Sequence, residues 1–264
     1  MLLFEKYKNF VFDLDGTLYL GETLFEGVVE TLNLLIENSK NLIFISNKTT
    51  GNYYDYANIL INAGVKIKPE QVVNATLVIS QYLKENYSGA KFYCIGEDKF
   101  IKSLEDIGLK YTEDIFETQI VIVTLDRFLT DNKIDIAKKA LENGAKFFAA
   151  NTDKTCPVEN KKQIIDAGIV IEKLENLTGR KLELSFGKPT QFMINYLKNK
   201  FDNNLPGILC GDRLETDIVM GQKLGFDTAW VKTGIDYNDD VIAFYKPTYI
   251  LDSVSDLAKK IVND

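Results

Sequence analysis

Histidine is absent from this 264-residue sequence. Ser-His-Asp hydrolysis, phosphohistidine chemistry and histidine-based zinc sites are excluded together, so any catalysis must run on carboxylates, lysines and hydroxyls, with or without a hard metal ion. Cysteine is scarce: Cys94, Cys156 and Cys210 are odd in number and far apart. They lack the paired spacing of a zinc or redox motif, and reduced thiols are expected. Long apolar runs are missing as well. Ile120-Val121-Ile122-Val123 is among the longest, far below the roughly 20 residues of a membrane span, and the first five residues are too short for the apolar region of a signal peptide. The expectation is a cytoplasmic protein without a membrane partner. Basic charge is not in excess, with 31 Lys and Arg against 38 Asp and Glu and a net charge of -7. Pairs such as Lys138-Lys139 read as solvated surface, which argues against a nucleic-acid partner. Repeats and low-complexity linkers are also absent.

What is present organises itself around Asn9 to Leu20. The apolar run Phe10-Val11-Phe12 leads into Asp13, Leu14, Asp15, Gly16 and Thr17, the pattern of a buried parallel strand ending in a charged turn. Side chains alternate along a strand, so Asp13 and Asp15 are expected to share one small site. Downstream, strands and helices alternate. Helices are expected over Val28–Asn38, Ala75–Glu85, Lys99–Ile107, Ile134–Asn143 and Thr190–Lys200, and strands over Leu42–Ile45, Phe92–Ile95, Ile120–Leu125, Lys146–Ala150, Ile208–Cys210 and Thr228–Val231. Alternation of this kind predicts an α/β fold with a doubly wound, mostly parallel, Rossmann-like sheet and ligands at the carboxyl ends of its strands. The pattern restarts near Lys91, which predicts a discontinuous core of residues 1–86 and 183–264 with a second α/β domain inserted over residues 87–182. A loop is expected around Pro157 and a crossing back at Leu182–Ser185.

Polar clusters fall at the strand ends. A carboxylate can attack phosphorus to form an aspartyl phosphate while a second carboxyl group moves protons to the leaving oxygen and from water; Asp13 and Asp15 fit that division of labour. Asp212 and Asp217 add hard oxygen ligands after another strand, and Mg2+ prefers octahedral oxygen coordination with few protein carboxylates. Asp13 with Asp212 would suffice, Asp15 contributing its backbone carbonyl and Asp217 standing nearby. Lys188, in Gly187-Lys188-Pro189, can neutralise phosphate oxygens. It is not a Walker lysine, because Leu182 stands where that motif needs a glycine and Pro189 replaces the Ser or Thr. Ser46, with the backbone amides of Asn47 and Lys48, can donate to the same phosphate.

The order and content of these clusters, Asp13-Leu14-Asp15-Gly16-Thr17, Ser46-Asn47, Lys188-Pro189 and Gly211-Asp212-Arg213-Leu214-Glu215-Thr216-Asp217, resemble the haloacid dehalogenase (HAD) superfamily of phosphohydrolases. The insertion between Ser46 and Lys188, together with Leu125-Asp126-Arg127 and Asn151-Thr152-Asp153, looks like the NagD-like and p-nitrophenylphosphatase-like enzymes with a large α/β cap. The resemblance implies Asp13 as nucleophile, Asp15 as general acid/base, Mg2+ on Asp13, Asp15 and Asp212, and phosphate held by Ser46 and Lys188; the residues alone leave open which of the first two acids attacks. Two departures from the family pattern concern the substrate side. Lys48 stands where relatives often carry a second Asn, and Asp166-Ala167-Gly168-Ile169 is less glycine-rich than usual. A cap closing over the strand ends would exclude water and supply substrate contacts. Asn151 and Asp153 are candidate specificity residues there, with turn capping as the equal alternative.

The function expected from these readings is a Mg2+-dependent phosphatase for small phosphate monoesters such as nucleotides, sugar phosphates and p-nitrophenyl phosphate. A phosphotransferase or mutase would use the same aspartyl phosphate. A phospho-accepting receiver module shares the residue types, but it needs only a single small domain and carries its acceptor on a middle strand, whereas this acid pair ends the first strand. The expected partner is a small phosphate ester. The sequence leaves a homo-oligomer open.

Overall fold

The computed structural model describes residues 2–158, 162–202 and 204–259. In chain order the strands are β1 (Asn9–Asp13), β2 (Tyr19–Leu20), β3 (Thr23–Leu24), β4 (Asn41–Ser46), β5 (Val72–Asn74), β6 (Lys91–Ile95), β7 (Lys110–Tyr111), β8 (Ile120–Val123), β9 (Lys146–Ala149), β10 (Thr155–Val158), β11 (Lys162–Ile165), β12 (Leu184–Ser185), β13 (Gly207–Gly211), β14 (Asp227–Val231) and β15 (Tyr249–Leu251). The helices are α1 (Val28–Glu37), α2 (Tyr53–Asn62), α3 (Ala75–Asn86), α4 (Asp98–Asp106), α5 (Asp131–Glu142), α6 (Ala167–Thr178), α7 (Gln191–Lys198), α8 (Val219–Leu224) and α9 (Asp239–Tyr245). The fold is α/β, as the alternation of apolar runs and amphipathic stretches requires.

The chain divides into two compact units, one of residues 1–46, 53–73 and 188–264 and the other of residues 47–52 and 74–187. The division differs from boundaries near 86 and 183 chiefly in giving α3 to the second unit. Aromatic packing within that unit accounts for the difference: Tyr82 of α3 lies 4.9 Å from Phe186 and 6.4 Å from Phe148, ring centre to ring centre. Contacts of this kind are invisible to a periodicity argument.

In the first unit a six-stranded sheet runs β15-β14-β13-β1-β4-β5. β1 lies in the middle and runs parallel to both β4 and β13. Phe10, Val11 and Phe12 are fully buried, as a strand covered on both faces demands, and Phe12 stacks between Phe10 and Phe44. Register then aligns the strand ends: Asp13 pairs with Ile45, one residue before Ser46, and Phe12 pairs with Cys210, two before Asp212. The order of strands reverses about β1, which makes its carboxyl end a topological switch point.

The second unit holds a five-stranded sheet, β12-β9-β8-β6-β7, with parallel pairing throughout. Its core joins Tyr93, Ile95, Val121, Val123 and Phe147 to the apolar faces of α5 and α6. The segment expected to cross back near Leu182 ends as β12, paired with β9. Pro157, expected in a loop, lies in the antiparallel ribbon β10–β11 instead. Both strands of a two-stranded ribbon are edges, where the missing N–H of proline is tolerated. No periodicity predicts the hairpin β2–β3 or helix α9, each being too short to repeat a pattern.

Opposite the aligned strand ends, a polar cluster fixes the edge of the first sheet. The buried Tyr7 hydroxyl donates to Asp227 Oδ2 at 2.5 Å, Lys6 Nζ donates to the same oxygen at 2.8 Å, and the Tyr249 hydroxyl lies 3.0 Å from that of Tyr7. Burial alone would raise the pKa of Asp227, but the hydrogen bonds from Lys6 and Tyr7 outweigh it and hold the carboxyl below its usual range. Tyr7→Phe is expected to cost about 1 to 2 kcal/mol at pH 7, read by urea unfolding. The loss should shrink as pH falls below about 4 and through the depressed folded pKa, because protonated Asp227 no longer favours the bond; a loss unchanged at pH 3 would contradict this account.

Candidate active site

The first unit gathers its acids at the carboxyl ends of β1 and β13. Lys188, buried just before α7, donates through Nζ to Asp13 Oδ1 and, at 2.8 Å, to Asp217 Oδ1. Thr17 Oγ1 donates to Asp13 Oδ2 at 3.0 Å and lies 3.4 Å from Asp212 Oδ1, so both oxygens of Asp13 are held. Asp217 Oδ2 accepts from the backbone N–H of Arg213 at 3.0 Å. It sits in a π-helical turn, Leu214–Ile218, that precedes α8, and such single turns recur at functional sites. Asp212 accepts from the Ile235 backbone N–H at 3.2 Å through Oδ2, and its own carbonyl accepts from Trp230 Nε1 at 2.9 Å.

Gly16 makes the approach of the two loops workable. Its φ is 86°, and a side chain there would bring Cβ within 2.6 Å of Asp212 Oδ2, so only glycine satisfies both the backbone and the space. β1 ends at Asp13, and strand alternation therefore does not extend to Asp15. Asp15 is half-buried in the following turn, where it bridges to Tyr19.

Asp13, Asp212 and Asp217 are all buried, and each offers an oxygen within 4.8 Å of the others. Burial pushes Asp212 well above the usual carboxylate range, with the charges of Asp13 and Asp217 acting in the same direction. Burial pushes Asp217 up to about 7, Lys188 pulling it down and Asp13 pushing it up. Burial alone would lower the pKa of Lys188, but the Asp13 and Asp217 carboxylates outweigh it and keep the ammonium charged. Three acids cannot all ionise beside one lysine; the protons that Asp212 and Asp217 keep are ones a cation would displace, and an all-oxygen donor set fits a small hard divalent cation. Asp13, Asp212 and Asp217 are thus brought together with Lys188; Ser46 is buried at the neighbouring end of β4.

Residues 10–110 match the family model described as haloacid dehalogenase-like hydrolase, and residues 185–257 match a second, HAD-hydrolase-like model. Phosphoglycolate phosphatase 1A of Arabidopsis thaliana is 30% identical over 256 residues, covering 88% of this chain and 70% of the relative. The chain belongs to the haloacid dehalogenase-like hydrolases. Among solved structures, p-nitrophenyl phosphatase from Archaeoglobus fulgidus superposes with a TM-score of 0.86 at 25% identity, covering 97% of this chain and 100% of that one. NagD from Escherichia coli K-12 gives 0.79 at 26% identity, with 95% and 98% covered. Within the family this hydrolase is of the NagD-like, p-nitrophenylphosphatase-like phosphatase type.

The remaining residues singled out in the sequence of this HAD hydrolase lie in its second unit. Asn151 is buried at the end of β9 and donates to Asp166 Oδ1 at 3.2 Å; Asp166 in turn caps α6 by accepting from the Ala167 N–H at 2.6 Å. Asp153 Oδ2 accepts from Asn47 Nδ2 at 3.1 Å. Arg127 grips Glu97 with two nitrogens, at 2.6 and 2.7 Å. The sequence reading gave no role to Thr17, Trp230 or Ile235. Thr17 carried a signal, being one helical step from Asp13 within the motif, whereas the other two meet Asp212 only through the fold.

In EDTA the protein is expected to lose stability as pH rises from about 4 through the value near 7 of Asp217. A carboxyl whose folded pKa lies above its unfolded one stabilises the fold only while it keeps its proton. Adding a divalent cation should restore the loss, raising the melting temperature more at pH 8 than at pH 5, where protons compete for the same oxygens. Equal gains at both pH values would contradict this description of the cluster.

Proposed function

We propose that this hydrolase cleaves small phosphate monoesters through an aspartyl phosphate on Asp13, with Mg2+ as its metal. The observation that carries the reading is the buried contact of Lys188 with Asp13 and Asp217, beside Asp212 at the same strand ends. Thr17 and Lys188 hold the Asp13 carboxylate in one orientation, which lowers the entropic cost of attack. Asp13 forms a bond to phosphorus as the ester P–O bond breaks, and Asp15 gives its proton to the departing oxygen. Asp15 then takes a proton from the water that attacks the phosphoenzyme, releasing inorganic phosphate and restoring Asp13. Lys188 and the Ser46 hydroxyl, with the backbone amide of Asn47 next in the chain, hold phosphoryl oxygens. Mg2+, held by Asp13, Asp212 and the backbone carbonyl of Asp15 with Asp217 beside them, would supply positive charge against the phosphoryl oxygens.

The substrate range we assign is that of compact metabolite esters, nucleotides and sugar phosphates, with p-nitrophenyl phosphate as a convenient probe. Two Bacillus subtilis relatives support that range, one named as a sugar-phosphatase and 29% identical over 248 residues, the other named as a 5'-nucleotidase and 27% identical over 254 residues. Asn151 and Asp153 remain our proposal for specificity, acting through the loop at the end of β9.

Purified protein with Mg2+ is expected to hydrolyse p-nitrophenyl phosphate and to stop in EDTA. Asp13→Asn should lower turnover by several orders of magnitude, as loss of a covalent nucleophile does. Acid quenching during turnover should trap an acyl phosphate on Asp13 of the wild type. Undiminished turnover by Asp13→Asn would remove the mechanism.

A further inference from the structure

The turn that carries Asp15 is anchored from outside by a residue without a role so far. Locally it is closed by Leu14 O, which accepts from Thr17 N at 3.2 Å and Leu18 N at 2.9 Å, and by Gly16 N, which donates to Tyr19 O at 2.8 Å. Gly16 itself can carry no side chain, for the reasons of space and φ given above, and so cannot anchor itself. Its carbonyl is instead taken by Thr233: Oγ1 donates to Gly16 O at 2.6 Å, across 217 residues of sequence. Thr233 stands two residues past the end of β14. The segment that follows is fixed in its turn, because Gly234 leaves room for Asp212 and Ile235 donates to it.

We infer that Thr233 is a positioning residue for proton transfer, its hydroxyl holding the carbonyl of the Gly16–Thr17 peptide and so fixing the turn from which the Asp15 carboxyl is aimed at the leaving oxygen of the ester. The inference rests on the reading of Asp15 as general acid and deepens it. Two hydroxyls then divide the motif between them: Thr17 orients the nucleophile and Thr233 orients the acid. A displacement of about 1 Å is costly in such arrangements, and a peptide group with no side chain of its own is the point most in need of an external tie.

General-acid assistance matters in proportion to the basicity of the leaving group. Phenolate needs a proton as it departs, whereas p-nitrophenolate leaves readily without one, and the two esters are nearly the same shape. Because departure of the phenol is the first irreversible step, kcat/KM reports phosphoryl transfer to Asp13 without the later hydrolysis. Thr233→Val keeps the shape and removes the donor; Thr233→Ser keeps the donor.

With phenyl phosphate, Thr233→Val is expected to lower kcat/KM about tenfold, and with p-nitrophenyl phosphate by less than about threefold, a modest share of what general acids contribute. Thr233→Ser should return both values close to wild type. Both esters are assayed at saturating Mg2+, because the Asp15 carbonyl in the same turn is a proposed ligand of the metal. Equal losses on the two esters, no loss on either, or no rescue by serine would each overturn the inference. Asp13→Asn is assayed alongside on both esters: if it stays active the parent mechanism fails, and this inference with it, whereas an inactive Asp13→Asn with equal losses in Thr233→Val removes the inference alone.

Discussion

The site depends on one buried ammonium. Lys188 lies among Asp13 and Asp217, with Asp212 close by, and each of these charges is costly to take out of water by itself. Lys188 makes their burial tolerable and keeps its proton because of them. The arrangement is a compromise in which three acids outnumber one base. It leaves carboxyls whose protons a small cation can displace, and it fixes the acids in a geometry that water would otherwise disperse. Stability and chemistry are therefore coupled at this position, through the same carboxylates.

The sheet makes that cluster possible. Parallel strands in register deliver Asp13, Ser46 and Asp212 to one edge, and short turns carry each side chain only a residue or two beyond its strand. Rigidity comes from the aromatic stack of Phe10, Phe12 and Phe44 beneath it. The loop after β14 then crosses the top, with Thr233 on Gly16 and Ile235 on Asp212. Binding energy can be directed to the reacting centre only if that edge does not yield, which is the value of placing a site on strands whose own positions are fixed on both sides.

Much of this was legible along the chain. The run Phe10-Val11-Phe12 announces a doubly covered strand because no polar residue interrupts it, and Asp13, Lys188 and Asp212 are marked by turn residues directly after or before such runs. Less legible was everything without a period. The hairpin β2–β3 and the ribbon β10–β11 are too short to show alternation, and Pro157 argued for a loop although an edge strand accepts it. Helix α9 did carry a start signal, since Asn238 precedes two acids and its side chain accepts from Val241 N at 3.0 Å. Asp15 taught the opposite lesson, because the alternation expected to align it with Asp13 stops when the strand does.

By itself the sequence determined the α/β class, the exclusion of histidine chemistry and the acids, lysine and hydroxyls at the strand ends. These are local properties, set by composition and by patterns only a few residues long. Which acids share one buried volume, which hydroxyl holds which oxygen, and how far Asp212 and Asp217 are pushed from their ordinary titration were decided by tertiary structure alone. The physical reason is that desolvation and Coulomb interaction act over a few ångströms of space, and nothing in the chain encodes locally that residue 233 will close on residue 16 or residue 188 on residue 13.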